Sequence, residues 1–206
     1  MSWIYLASQS PRRRQLLEQW NVQCELLLPG DDDDTDAEAL EEVLPGESPL
    51  RYVERVTRLK LDAALARLRR RGLPPAPVLC ADTTVALGRE ILGKPESPID
   101  AARMLGRLSG QQHRVLTSVA VGVVRSRKDQ AWQATSRSTV TFEALAPARI
   151  KRYVNTGEPM GKAGAYAIQG LAATWVSHMT GSYSGIMGLP AHETAKLLEQ
   201  AGIRVL

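Results

Sequence analysis

The first stretch whose residue types could do chemistry is Ser8-Gln9-Ser10-Pro11-Arg12-Arg13-Arg14. Ser10 suits a helix N-cap and Pro11 the first helical position, so three arginines fall in one first turn. Positive charge there opposes the helix dipole, at a few tenths of a kcal/mol per residue. An anion docked on the free N–H groups reverses that cost. A serine hydroxyl and forked guanidinium groups add donors that suit phosphate. The alternative is a solvated basic turn.

Asp82 is the second signal, in Cys80-Ala81-Asp82-Thr83-Thr84-Val85. A carboxylate flanked by an apolar strand is expensive to bury unpaired. It reads as a hydrogen-bonded structural residue, a metal ligand or a general base. A strand's C-terminal end is also a favoured place for α/β active sites.

Gly88 to Lys94 fits G-x-x-x-x-G-K, but Pro95 stands where a P-loop needs the Mg²⁺-binding Ser or Thr. The interior Arg89-Glu90-Ile91-Leu92 is too bulky for a phosphate cradle, so the P-loop is rejected and Lys94 remains as a phosphate contact. Residues 157–170 hold four glycines, implying tight turns and close backbone approach. Lys162 within them could meet a phosphate, and Gln169 has the donor and acceptor needed to read a base edge. A glycine-rich hairpin is the structural alternative. Gly181-Ser182-Tyr183-Ser184-Gly185 lacks the central serine of a nucleophile elbow. His113, His178 and His192 lack metal-ligand spacing and read as structural. Catalysis therefore falls to carboxylates, lysines and arginines, with a divalent metal. The acidic run Asp31 to Asp34 is a solvated loop or a source of one hard oxygen ligand for Mg²⁺ or Mn²⁺.

These residues need a scaffold. The length of 206 residues suits one large domain or two small lobes sharing a cleft, with a core that needs no disulfides. Aromatics at 5% are too few for a surface that stacks single-stranded nucleic acid. The net charge of +4 favours anionic partners, but the basic residues are interspersed with acidic ones. The densest run, Arg69-Arg70-Arg71, precedes Gly72 and suits the last turn of a helix, with nucleic-acid contact as the alternative. Two cysteines without a C-x-x-C pair fit a reducing cytosol. No signal peptide opens the chain, and no apolar run is long enough to span a membrane. The expectation is a cytoplasmic protein that engages neither membrane nor nucleic acid.

Patterning predicts strands over residues 3–8, 24–28, 78–81, 114–124, 136–142 and 174–179. Residues 84–87 either continue the third strand or pair with 90–92. Helices are predicted to start at Pro11 and over 49–71, 98–108, 147–154 and 191–201, with Ser48-Pro49 repeating the cap signature. Residues 30–47 read as a polar loop with at most one helical turn. Strands and helices interleave, which gives an α/β domain with a mixed sheet. A boundary near Pro147 is only weakly marked.

The ordered set of segments resembles the Maf family of nucleoside-triphosphate pyrophosphatases. The matching stretches are Leu6 to Arg13, Ala81-Asp82-Thr83, Gly93-Lys94-Pro95, Leu108-Ser109-Gly110 with His113 and Thr117, Lys162 to Tyr166 with Ile168-Gln169-Gly170, and Gly188-Leu189-Pro190. They span almost the whole chain. The resemblance implies a Maf-like (ITPase-like) α/β fold over residues 1–206: a mixed twisted sheet with helices, and two lobes around a central cleft. It also implies an often dimeric assembly. The implied activity is house-cleaning, metal-dependent hydrolysis between the α- and β-phosphates of a nucleoside triphosphate. Asp82 matches the family's catalytic aspartate, placed near the Mg²⁺ or Mn²⁺. Arg13, Thr83 and Gln169 match positions tied to substrate choice, in the form of the branch acting on dTTP and UTP. Ser8, Arg12, Lys60, Lys94 and Lys162 match the polar pocket. Where the family commonly has a glutamate this chain has Asp33, one methylene shorter, as a second metal ligand. Alternatives within the resemblance are a preference for 7-methyl-GTP or a modified pyrimidine nucleotide, and a non-catalytic restraint on cell division at septum formation.

Overall fold

The computed structural model describes residues 3–30 and 39–205. Asp33 and its acidic neighbours lie outside the described residues. The first half of the described chain runs β1 (Trp3–Leu6), α1 (Pro11–Gln19), β2 (Gln23–Leu26), α2 (Pro49–Arg70), β3 (Val78–Leu87) and β4 (Glu90–Leu92). The second runs α3 (Pro98–Leu108), β5 (Gln112–Val123), β6 (Gln130–Phe142), α4 (Pro147–Val154), β7 (Val176–Thr180), α5 (Tyr183–Met187) and α6 (Ala191–Gln200). The α/β expectation with a mixed sheet is met. The strand order is β2-β1-β3-β5-β6-β7, with β4 paired to β3. The β2–β1–β3 pairings are parallel and the others antiparallel.

Helix starts follow the cap chemistry. Ser48 and Ser97 each accept a hydrogen bond from a first-turn amide, with proline just inside the helix. Ser10 occupies the cap position of α1, but its own hydroxyl makes no cap bond; the Ser10 amide donates instead to Ser8 Oγ at 3.2 Å. Arg69, in the last turn of α2, pairs with Asp129.

Some boundaries differ from the sequence reading. β1 ends at Leu6, because the chain turns away there to reach α1. β2 spans Gln23–Leu26 and not 24–28, and is mostly exposed as an edge. β6 begins at Gln130, six residues earlier than predicted, because its polar first half is held by pairing with β5 and not by a buried face. Residues 84–87 do both things predicted as alternatives: β3 runs on, and β4 pairs back onto it. Residues 157–170 form turns with a 3-10 turn at Ala163–Ala165, not a hairpin. α5 was not predicted at all.

Two helical layers cover the sheet. α2 lies on one face, its Leu61, Leu65 and Leu68 packed with Val78, Cys80 and Ala120. α1 and α6 cover the other, where Leu16, Leu17 and Leu198 meet Leu79, Ala81 and Val119. A separate core at the far end joins α3, α4 and the 163–168 segment around Phe142. These cores make two lobes bridged by the long strands β3, β5 and β6.

His113 ties the second lobe together. It is 1% exposed on β5, and its Nε2 lies 2.8 Å from the Tyr166 hydroxyl. Its ring meets those of Phe142 and Tyr166 edge-on at 4.9 and 5.4 Å. Burial lowers its pKa to about 4, so the imidazole is neutral. The folded value lies below the unfolded value near 6.5. Its contribution to stability is therefore present above pH 6.5 and lost as pH falls towards 4. Wild type should lose roughly 3 kcal/mol more stability between pH 7 and pH 4 than His113→Gln. Urea unfolding across that range measures this; parallel stability curves for the two proteins would refute it.

Candidate active site

The cleft exists because β3 is longer than its neighbours on one side. β1 pairs with it only at Tyr5↔Val78 and Leu6↔Leu79, and β4 joins only from Val85. Between them the edge of β3 from Cys80 to Thr84 has no strand partner on that side among the described residues. A cleft of about 820 Å³ opens there between the lobes. It is lined by Ser8, Arg12, Arg13, Lys60, Asp82, Thr83, Lys94, Lys162 and Gln169, which are all the predicted site residues within the described chain.

Strand alternation sends Asp82 and Thr83 to opposite faces. Asp82 turns towards α2 with only 9% exposure. Lys60 of α2 donates to Asp82 Oδ1 at 2.6 Å and to Glu41 Oε1 at 2.7 Å. Lys94 donates to the other Glu41 oxygen at 3.0 Å. Desolvation would lower the Lys60 pKa, but the two carboxylates outweigh it and raise the value, so the ammonium stays charged. Desolvation would raise Glu41, but Lys60 and Lys94 outweigh it and hold the carboxylate below its usual range. Glu41 ends a 3-10 turn at Ala39–Glu41. Its carbonyl accepts from the Tyr52 hydroxyl at 3.0 Å, and Arg55 bonds to the Glu42 carbonyl and the Glu47 carboxylate, each at 2.7 Å. α2 therefore carries Lys60 and also pins the segment that carries its second partner.

The Thr83 face is built from arginines and carbonyls. Arg13 donates to the Gly188 carbonyl at 2.8 Å, to Ser8 Oγ at 2.9 Å and, at the long limit, to Thr83 Oγ1 at 3.5 Å. Arg12 donates to the Met187 carbonyl at 3.3 Å. Desolvation lowers the pKa of both guanidiniums, partly offset at Arg13 by Asp82. Gly188 closes α5 at φ +118°, a conformation that strains any residue bearing a Cβ. Arg14 turns outward and pairs with Glu18 at 2.8 Å.

The glycine-rich segment supplies the third wall. Gly164 sits at φ +68°, and a Cβ there would approach Val85 to 2.8 Å. Its amide donates to the Gly93 carbonyl at 3.0 Å, tying the segment to the Lys94 turn. Desolvation and nearby Arg12 lower the pKa of Lys162, whose ammonium donates to the Glu158 carbonyl. Gln169 is exposed at the cleft wall.

The sequence reading missed two cleft residues. Arg67 is 4% exposed and donates to the Leu27 carbonyl at 3.3 Å. Its seven-residue spacing from Lys60 on one helix was the available signal. Glu41 stood among many acidic residues in a segment without periodicity, and nothing marked it.

The donor set fits a hard divalent cation. Asp82 and Glu41 present hard carboxylate oxygens on the cleft wall, and the point on which they converge is filled by the Lys60 ammonium. Among the described residues no group of three or more His, Cys, Asp or Glu converges. Two carboxylates open to a cleft suit an ion shared with substrate phosphates, as Mg²⁺ commonly is. Among the described residues no helix is long and apolar enough to cross a membrane, and Cys24 and Cys80 are free thiols.

Comparison with known proteins agrees with this geometry. A dTTP/UTP pyrophosphatase of Albidiferax ferrireducens is 63% identical over 203 residues, covering 98% of each chain. Proteins of the same name from a Polaromonas species and from Cupriavidus pinatubonensis are 61% and 59% identical, again over 98% of each chain. The structure of the Staphylococcus aureus Ham1 protein aligns with TM-score 0.41 at 15% identity, over 68% of this chain and 72% of that one, too distant a likeness to bear on function. The family model described as Maf-like protein matches residues 3–201, and the chain belongs to the Maf family.

Proposed function

We propose that this protein hydrolyses dTTP and UTP to the monophosphate and pyrophosphate, with a divalent cation bound. The observation that carries this is Asp82: a carboxylate at the floor of a cation-lined cleft, held by Lys60 on an unpaired strand edge. The names of the close relatives support the choice of nucleotides.

The triphosphate brings several negative charges into a cleft that offers Arg12, Lys94 and Lys162, together with the N-terminal amides of α1. Asp82 orients a water and accepts its proton as the water oxygen attacks the α-phosphorus. The bond from that phosphorus to the bridging oxygen breaks in line, and the electron pair leaves with pyrophosphate. The cations neutralise charge growing on the leaving group. Asp82 and Glu41 would hold Mg²⁺ or Mn²⁺, which would supply charge neutralisation at the phosphate oxygens.

Asp82→Asn keeps the shape and removes the proton acceptor. It should cut kcat about 10²–10⁴-fold while circular dichroism and melting temperature stay near wild type. Near-normal turnover in a folded variant would exclude the role. A second measurement concerns substrate and metal together. Pyrophosphate release from dTTP, UTP, CTP, GTP and 7-methyl-GTP should be fastest for the first two, and should stop with EDTA and return with Mg²⁺ or Mn²⁺. Fastest release from 7-methyl-GTP would reassign the substrate, and turnover undiminished by EDTA would exclude the metal.

A further inference from the structure

Thr117 sits on β5 directly opposite Thr83 and is 1% exposed. Its hydroxyl lies 2.7 Å from the Gly185 carbonyl oxygen and 3.0 Å from Thr83 Oγ1. A carbonyl oxygen can only accept, so the single hydroxyl hydrogen of Thr117 is spent on Gly185. Thr83 must then donate to Thr117, which spends its own hydrogen in turn. On its other side Thr83 meets Arg13 Nη2, which can only donate. Every neighbour thus agrees on one orientation. The Gly185 carbonyl cannot turn to release the chain, because it also accepts the Gly188 amide at 3.0 Å within the last turn of α5.

We infer that Thr117 is a positioning residue that fixes Thr83 as a hydrogen-bond acceptor and so makes the cleft select pyrimidines carrying an N3–H. This rests on the pyrophosphatase reading above for its choice of ligand. An acceptor-only hydroxyl has nothing to offer a phosphate oxygen, which is itself an acceptor. Thr83 must face a donor-bearing part of the nucleotide. Uracil and thymine have one ring N–H free for recognition, at N3, since N1 carries the sugar. Cytosine presents a lone pair at that position and would set two acceptors against each other. Leaving such a pair unsatisfied in a partly closed cleft is the costly event in discrimination.

The test uses the full-length protein and non-hydrolysable α,β-methylene analogues, so binding is read without turnover. With wild type, the UTP analogue should bind roughly 10–100-fold more tightly than the CTP analogue. Its 3-methyl derivative, which lacks the N3 hydrogen, should bind as poorly as the CTP analogue, whereas removing the 3′-hydroxyl should have little effect. Thr117→Val keeps the shape but frees the Thr83 hydrogen to turn into the cleft, and should lower the UTP-to-CTP preference about tenfold. Thr117→Ser restores the hydroxyl and should restore the preference. Equal binding of UTP and 3-methyl-UTP analogues overturns the inference, and so does an unchanged preference in folded Thr117→Val. A protein that binds with these preferences yet releases no pyrophosphate would leave the inference standing and refute the activity.

Discussion

Burial of the Asp82 carboxylate on an apolar strand is the constraint around which the rest is arranged. Taking a lone charge out of water costs several kcal/mol, and the cost is met only by a well-placed opposite charge. That charge is Lys60, and it comes from α2 because α2 covers the face towards which even-numbered residues of β3 point. Val78 and Cys80 pack under Leu61, Leu65 and Leu68, and the same register brings Lys60 over Asp82. The hydrophobic contact and the ion pair are two consequences of one helix position. Glu41 then balances the ammonium, and α2 holds it too, through Tyr52.

The pleat of β3 divides the cleft chemically. The Asp82 face gathers formal charges of both signs, suited to a reaction at phosphorus. The Thr83 face is a network of hydroxyls, carbonyls and two arginines in which Thr117 has no freedom left. On the proposed reading, one residue of offset along a strand separates the part of the site that reacts from the part that discriminates. Both open on the same cleft only because β1 leaves the sheet at Leu6 and β4 arrives at Val85.

Much of this was legible in the sequence where local physics and tertiary structure agree. Ser48-Pro49 and Ser97-Pro98 mark helix starts because capping is a local event, and the structure places both serines as caps. Ser8, Lys60, Lys94, Lys162 and Gln169, scattered along the chain, converge on one cleft, as the ordered family motifs implied. The failures are of the opposite kind. The first half of β6 has no apolar alternation, since a ladder with β5 and not a buried face makes it a strand. α5 is a five-residue helix that begins at the tyrosine of Gly181-Ser182-Tyr183-Ser184-Gly185, held by Ser182 capping the Gly185 amide and by Gly188 closing it. Its stability comes from where it docks, so no periodicity announces it. Glu41 owes its place to Lys60 and Lys94, partners that no local pattern could supply.

The basic first turn of α1 shows how a correct reading can rest on an incomplete reason. Helix electrostatics argue that three arginines at a helix start need an anion. Part of that need is already met inside the protein. Arg12 and Arg13 donate to the Met187 and Gly188 carbonyls, at the C-terminal end of α5, where the exposed carbonyls carry partial negative charge. Arg14 pairs with Glu18 one turn along. The arginines therefore clamp α1 to α5 before any ligand arrives. Arg13, with the Gly188 carbonyl, Ser8 and Thr83 all within its reach, belongs to the Thr83 face. On the proposed reading the anion is left to the α1 amides, Lys94 and Lys162, with Arg12 at their border.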